Sequence, residues 1–160
     1  MNIYLVRHGA AEDKKFSQKD YDRELTEDGR KKMAAAAKNW KNLIPEFGGL
    51  VSSPLIRAFQ TAEIVKKAYG IKEGIIKDER LGPGSRTEDL VALINELGMD
   101  DVAVFGHEPD FSTHVSRLIS NSGAMIDFKK GAIAKISFAG KARISAGTLE
   151  FLIPVKTFGS

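Results

Sequence analysis

Cysteine is absent from the 160 residues. That excludes disulfides, thiolate metal sites and any cysteine nucleophile. A chain of this length buries an adequate core without such staples. Long apolar runs are also missing. No stretch approaches the ~18 residues of a membrane span. The run Ile3-Tyr4-Leu5-Val6 is too short for a signal peptide, and no basic segment precedes it. No membrane partner and a cytoplasmic location are therefore expected. Charge of one sign is not concentrated either. The net charge is +3, and the pairs Lys14-Lys15, Lys31-Lys32, Lys66-Lys67 and Lys129-Lys130 are scattered among acidic residues without interleaved aromatics. Nucleic acid is not an expected partner. A mild basic excess suits a small anionic group equally well.

What is present is ordinary in proportion. The chain is 42% apolar and 28% charged, which fits one globular domain over residues 1–160. Ile3 to Val6 reads as a buried strand that ends in the polar pair Arg7-His8. Thr26 caps a helix with Glu27 and Asp28 in its first turn. Met33, Ala36, Ala37, Trp40, Leu43 and Ile44 form its apolar face, and Pro45 with Gly48-Gly49 ends it. Leu50-Val51 is a short strand. Ser53-Pro54 predicts the next helix start, with serine as cap, proline first, and Leu55, Ala58, Phe59, Ala62, Val65 and Tyr69 inward. Ile75-Ile76 predicts an edge strand. A third helix starts near Ser85 or Thr87 and stops at Gly98. Val102 to Phe105 is another buried strand, and Pro109-Asp110 opens a fourth helix. Ile133 to Phe138 and Thr148 to Ile153 then predict a closing antiparallel pair.

This order predicts an α/β fold. It is a three-layer α/β/α sandwich with a mostly parallel sheet, helices on both faces and an antiparallel C-terminal strand pair. Ligands in such folds bind beyond the carboxyl ends of the strands, where strand order reverses. The chain has three histidines, and two of them stand there. His8 follows the first strand in Arg7-His8-Gly9, and His107 follows the fourth in Gly106-His107-Glu108-Pro109. Arg57 lies in the first turns of the second helix, whose N-terminal N–H groups and partial positive charge suit an anion. Its planar fork of donors matches phosphate oxygens, and Arg7 adds a second fork. Arginines would repel a cation, and no carboxylate completes a ligand set, so no metal and no cofactor are expected. Together the four residues suit a dianionic phosphoryl group. His114 has no motif around it and reads as structural.

Arg7-His8-Gly9, Leu25-Thr26 with Gly29, Ser53-Pro54 with Arg57-Ala58 and Gln60-Thr61, and Gly106-His107, in this order, resemble the histidine phosphatase superfamily, also called phosphoglycerate mutase-like. The short length, Gly106-His107-Glu108-Pro109 and Gly131-Ala132-Ile133-Ala134 are most similar to its small phosphohistidine phosphatases of SixA type. The resemblance implies that His8 is the nucleophile and that Arg7, Arg57, His107 and Gly9 bind the phosphoryl group. It also implies that the reaction passes through a phospho-His8 intermediate. Members acting on phosphate monoesters often carry an acid after the third strand. Here that region reads Asp78-Glu79-Arg80-Leu81-Gly82-Pro83-Gly84, and Glu12, Asp13, Glu79 and Glu108 are the alternative proton donors.

An imidazole leaving a phosphoramidate needs less protonation than an alkoxide leaving an ester. The expected substrate is therefore a phosphohistidine-bearing protein domain. A small phosphorylated metabolite is the alternative, acted on by a phosphomonoesterase of the same scaffold. A non-catalytic phosphoprotein-binding module is the further alternative. A monomer is expected.

Overall fold

A computed structural model describes residues 1–158. Gly159 and Ser160, the last residues of the expected domain, lie outside the described residues. The strands are β1 (Asn2–Arg7), β2 (Gly49–Ser52), β3 (Ile76–Lys77), β4 (Val102–Gly106), β5 (Ile133–Ser137) and β6 (Thr148–Ile153). The helices are α1 (Glu27–Trp40), α2 (Ile56–Tyr69), α3 (Thr87–Leu97) and α4 (Asp110–Ile119). The strands form one sheet in the order β3-β2-β4-β1-β5-β6. The first four of these are parallel, β5 runs antiparallel to β1, and β6 runs antiparallel to β5. This is the predicted architecture.

Two cores flank the sheet, because alternate strand residues point to opposite faces. Tyr4, Val6, Leu50, Ala103 and Phe105 pack against Met33, Trp40, Ala62 and Val65 from α1 and α2. Ile3, Leu5, Val51, Val102 and Val104 pack against Leu90, Leu93 and Ile94 of α3 and Phe111, Val115 and Leu118 of α4. The helix that follows β1 therefore lies on one face, and the helix that follows the neighbouring β4 lies on the other. Strand order reverses between the carboxyl ends of these two strands, the place where such folds bind their ligands.

The segment between β1 and α1 is tied down by the motif residues. Thr26 caps α1 by accepting from the Gly29 amide at 2.9 Å, and its own amide donates to the Ala10 carbonyl at 3.0 Å. Gly29 lies so close to the Ala10 carbonyl that a Cβ there would collide with it. Gln60 accepts from the Leu25 amide at 2.9 Å and donates to Glu24 at 2.7 Å, which joins α2 to the same segment.

Three local expectations are corrected. Helix α1 ends at Trp40, where tight turns begin with the Leu43 and Ile44 amides both bonded to the Trp40 carbonyl. Ile44 still turns into the core, but Leu43 is 54% exposed. Helix α2 starts at Ile56 with Leu55 as its N-cap, not at Ser53-Pro54. Ser53 is still part of the extended run, and its amide donates to the Phe105 carbonyl at 2.9 Å. Phe59 is half-buried rather than core. The Lys77 ammonium sits 4.2 Å from its ring centroid, an arrangement that needs a solvent-facing ring.

Candidate active site

Strand register brings the two histidines together. Arg7 pairs with Gly106 across β1 and β4, so His8 and His107 are the next residues on adjacent strands. The His8 amide donates to the Gly106 carbonyl at 3.1 Å, and the two ring centroids lie 5.4 Å apart. Both side chains are buried, at 6% and 2% exposure.

The tautomer of His8 is set by its neighbours. Nδ1 lies 2.7 Å from the Gly9 carbonyl, which can only accept, so Nδ1 carries the proton. The lone pair is then on Nε2, which receives the Arg57 Nε–H at 3.3 Å. Gly9 is consumed by this arrangement: its carbonyl orients His8, and its amide donates to Thr61 Oγ1 at 3.1 Å. Thr61 in turn donates to the Arg57 carbonyl at 2.8 Å, so the strand end and α2 are locked together.

Arg57 reaches the site as the sequence implies, but it does not stand alone. Its Nη1 donates to the Asp20 carbonyl oxygen at 2.9 Å, and its Nη2 to the Asp20 carboxylate at 3.1 Å. Arg23 donates to the other Asp20 oxygen at 2.9 Å. These cationic partners hold the Asp20 carboxyl below its ordinary range against the opposing effect of burial, so it stays ionised. On the other flank, Arg7 Nη1 donates to the Phe128 carbonyl at 2.8 Å, while its buried Nε has no partner.

His107 Nε2 lies 2.7 Å from Ser53 Oγ, which also accepts from the Leu55 amide at 3.2 Å. Its Nδ1 is buried without a partner. An unpaired ring nitrogen and an unpaired guanidinium nitrogen in one crevice are costly unless a ligand completes them. Burial lowers His8 to about 4, with Arg57, Arg7 and Lys130 adding to the effect. Burial lowers His107 to about 3, helped by His8 and Arg57. Both rings are neutral at neutral pH.

Of the five expected site residues, His8, His107, Arg7 and Arg57 are brought together, while both backbone polar groups of Gly9 are engaged by His8 and Thr61. The candidate acids fare differently. Glu108 spends both carboxylate oxygens on Ser112, taking its amide at 2.7 Å and its hydroxyl at 2.5 Å at the start of α4. Glu12, Asp13 and Glu79 make no side-chain hydrogen bond to either histidine. His114 is fully buried between Thr87 Oγ1 at 2.8 Å and Ser85 Oγ at 3.1 Å, which fits its structural reading. Sequence reasoning missed Asp20 and the contact of Ser53 with His107. Ser53 was legible only as a helix cap, and Asp20 sits in a polar loop with no periodicity to mark it.

The fold and the crevice define a phosphoryl-transfer enzyme of the α/β sandwich class. The chain belongs to the histidine phosphatase superfamily (branch 1), whose family model matches residues 3–82. It is a phosphatase of SixA-type architecture. It is similar to a solved structure of the protein histidine phosphatase SixA complexed with tungstate, at 26% identity and a TM-score of 0.84, covering 98% of this chain and 99% of that one. A mycobacterial glucosyl-3-phosphoglycerate phosphatase shares the fold at 19% identity and a TM-score of 0.71, covering 93% and 96% of the two chains. An uncharacterized protein of Picosynechococcus sp. (strain PCC 7002) is 31% identical over 92% of this chain and 91% of its own length.

Proposed function

We propose that the chain hydrolyses phosphohistidine and that the phosphoryl group passes through His8. The observation that carries this reading is the fixed tautomer of His8. Nδ1–H is spent on the Gly9 carbonyl, which leaves Nε2 unprotonated, a nitrogen that accepts a long 3.3 Å hydrogen bond from Arg57 Nε beside the His107 ring. In-line attack by Nε2 on phosphorus forms a P–N bond as the P–N bond to the substrate imidazole breaks. The electron pair leaves with that ring, which departs as neutral imidazole because its other nitrogen carries a proton in the reacting phosphohistidine. Water then attacks phosphorus, the bond to Nε2 breaks, and phosphate departs with the proton that water gives up. Arg7, Arg57 and the His107 Nδ1 offer donors to the equatorial oxygens as charge builds on them. An anion between the rings also favours a protonated His107, offsetting the burial that otherwise keeps it neutral.

The preference for phosphohistidine rests on the proton donors. No carboxylate among the described residues hydrogen-bonds either site histidine. Asp20 is ionised and tied to Arg57 and Arg23, and Glu108 is occupied by Ser112. An alkoxide leaving group lacks an evident acid, and the missing step is worth about 10²–10⁴-fold. Side-by-side kinetics on a phosphohistidine peptide, p-nitrophenyl phosphate and glycerol phosphate test this. The phosphohistidine peptide is expected to exceed glycerol phosphate by at least about 100-fold in kcat/KM. Equal or better turnover of glycerol phosphate would make the protein a small-molecule phosphomonoesterase instead.

Asp20 acts on this chemistry through Arg57. Asp20→Asn keeps the backbone carbonyl that binds Nη1 and removes the charge that binds Nη2. A charge-assisted hydrogen bond of this kind contributes about 1.5 kcal/mol, so kcat/KM is expected to fall about tenfold. The basic limb of the pH profile should stay in place, because Asp20 carries no reacting proton. A full-activity Asp20→Asn enzyme would show that the backbone carbonyl alone positions Arg57.

A further inference from the structure

Beside the crevice, the chain enters β5 through a turn that presents Lys129 and Lys130. The turn is held firmly. Gly131 adopts φ +74°, and its amide donates to the His8 carbonyl at 3.0 Å and the Arg7 carbonyl at 3.2 Å. A side chain at Gly131 would meet Met33 and Val155 and would strain the backbone. Arg7 clamps the same turn through the Phe128 carbonyl. The lysine pair is therefore fixed in position relative to His8, although both side chains face solvent.

A groove of about 410 Å³ runs outward from this turn, lined by Arg7, Lys129, Lys130, Pro154, Val155 and Lys156. Its floor is apolar and its walls are cationic. Charge is not balanced within it. Lys129 pairs with Asp127 at 2.9 Å, with both side chains exposed, while Lys130 and Lys156 have no ion pair among the described residues. Glu108 and Asp127 both act on Arg7, so the uncompensated cations of the groove are Lys130 and Lys156. The groove joins the phosphoryl crevice through Arg7, which borders both.

We propose that this groove is a docking surface for an acidic stretch of the polypeptide that carries the phosphorylated residue, with carboxylates set against Lys130 and Lys156. The proposal rests on the phosphohistidine reading for the identity of the partner, and on charge complementarity for the surface itself. A small dianion is a poor occupant. The lysines are exposed, and among the described residues the groove lies open to solvent. An extended segment lays apolar atoms on Pro154 and Val155 and places several carboxylates along the cationic rim. Such contacts steer encounter and fix orientation, and salt weakens them.

The test uses the full chain and two fluorescent peptides. Each has a central histidine, with flanks of Asp and Glu in one and of Asn and Gln in the other. By anisotropy at low salt, the acidic peptide is expected to bind about tenfold tighter than the neutral one. The preference should shrink at least about fivefold in the Lys130→Gln/Lys156→Gln double variant, and likewise at ~0.5 M salt. Thermal melts confirm that the double variant is folded. Equal binding of both peptides by the wild-type chain, or an undiminished preference in the double variant, overturns the proposal. Phosphorylated versions of both peptides separate the two readings. An acidic peptide that binds through the lysines but is never dephosphorylated leaves the groove standing and removes the phosphohistidine reading.

Discussion

His8→Ala is expected to lose hydrolysis almost completely, with kcat/KM falling by about 10⁴-fold or more. The size follows from what remains. Arg7, Arg57 and His107 still surround the crevice, so an oxyanion such as tungstate should bind the variant within a fewfold of wild type. No other side chain stands in the place of Nε2. The lone pair faces Arg57 at 3.3 Å, and His107 is committed to Ser53 through its own Nε2. Water entering the vacated space would be a weak nucleophile without a base, because Asp20 is tied to Arg57 and Arg23. Wild-type enzyme quenched during turnover should carry an acid-labile, base-stable phosphoryl group, and the variant should carry none. His107→Ala should differ, with less loss than His8→Ala and a labelled intermediate that still forms. A His8→Ala enzyme within tenfold of wild type would recast the crevice as a phosphate-binding pocket and move the nucleophile elsewhere.

The convergence behind that result was legible in the sequence to an unusual degree, for a physical reason. In a parallel sheet, the residue after each buried strand lies on one edge, so apolar runs that stop at His8 and His107 already define a shared boundary. Only strand adjacency had to be supplied, and the register of Arg7 with Gly106 supplies it. Thr26 and Gly29 were legible because capping is local. The start of α2 was not, because Ser53 answers to Phe105 and His107, and neither is near it in sequence. Asp20 was hidden for the same reason. Its partner Arg57 lies 37 residues away, and the loop that carries it has no apolar period. Phe59 fits the inward face of α2 by spacing, yet it turns toward Lys77, since the helix flank nearest the edge strand β3 is only partly covered. The lysines of the β5 turn look like any solvated pair until Gly131 is seen pinned to the backbone of Arg7 and His8.

The histidines that build the site should also make the protein acid-labile. His8 and His114 are lowered to about 4 and His107 to about 3, with burial the largest cause in each. In the unfolded chain each takes a proton near pH 6.5. Between about pH 6.5 and 4 the unfolded state therefore holds more protons than the folded state, and stability falls as pH is lowered through that window. Above it all three rings are neutral in both states and contribute nothing to the slope. A drop from 6.5 to about 4 is worth about 3 kcal/mol for one buried group, and three such groups approach the whole stability of an ordinary domain. Asp20 and Asp78, held ionised by arginines, act in the same direction at the acid end of the window. Urea unfolding followed by circular dichroism should show little change from pH 8 to 7. Near pH 5 it should show a loss steepening toward about 4 kcal/mol per pH unit, the slope of three protons. His114→Gln removes one of those protons away from the crevice and should cut the slope by about a third. Tungstate should move the acid limb to lower pH, because an anion between the rings favours a protonated His107 and lets the folded state share the proton. A stability curve that stays flat from pH 6.5 to 5 would mean that the rings are already protonated in the fold. His8 Nε2 would then carry a proton in place of the lone pair on which the mechanism depends.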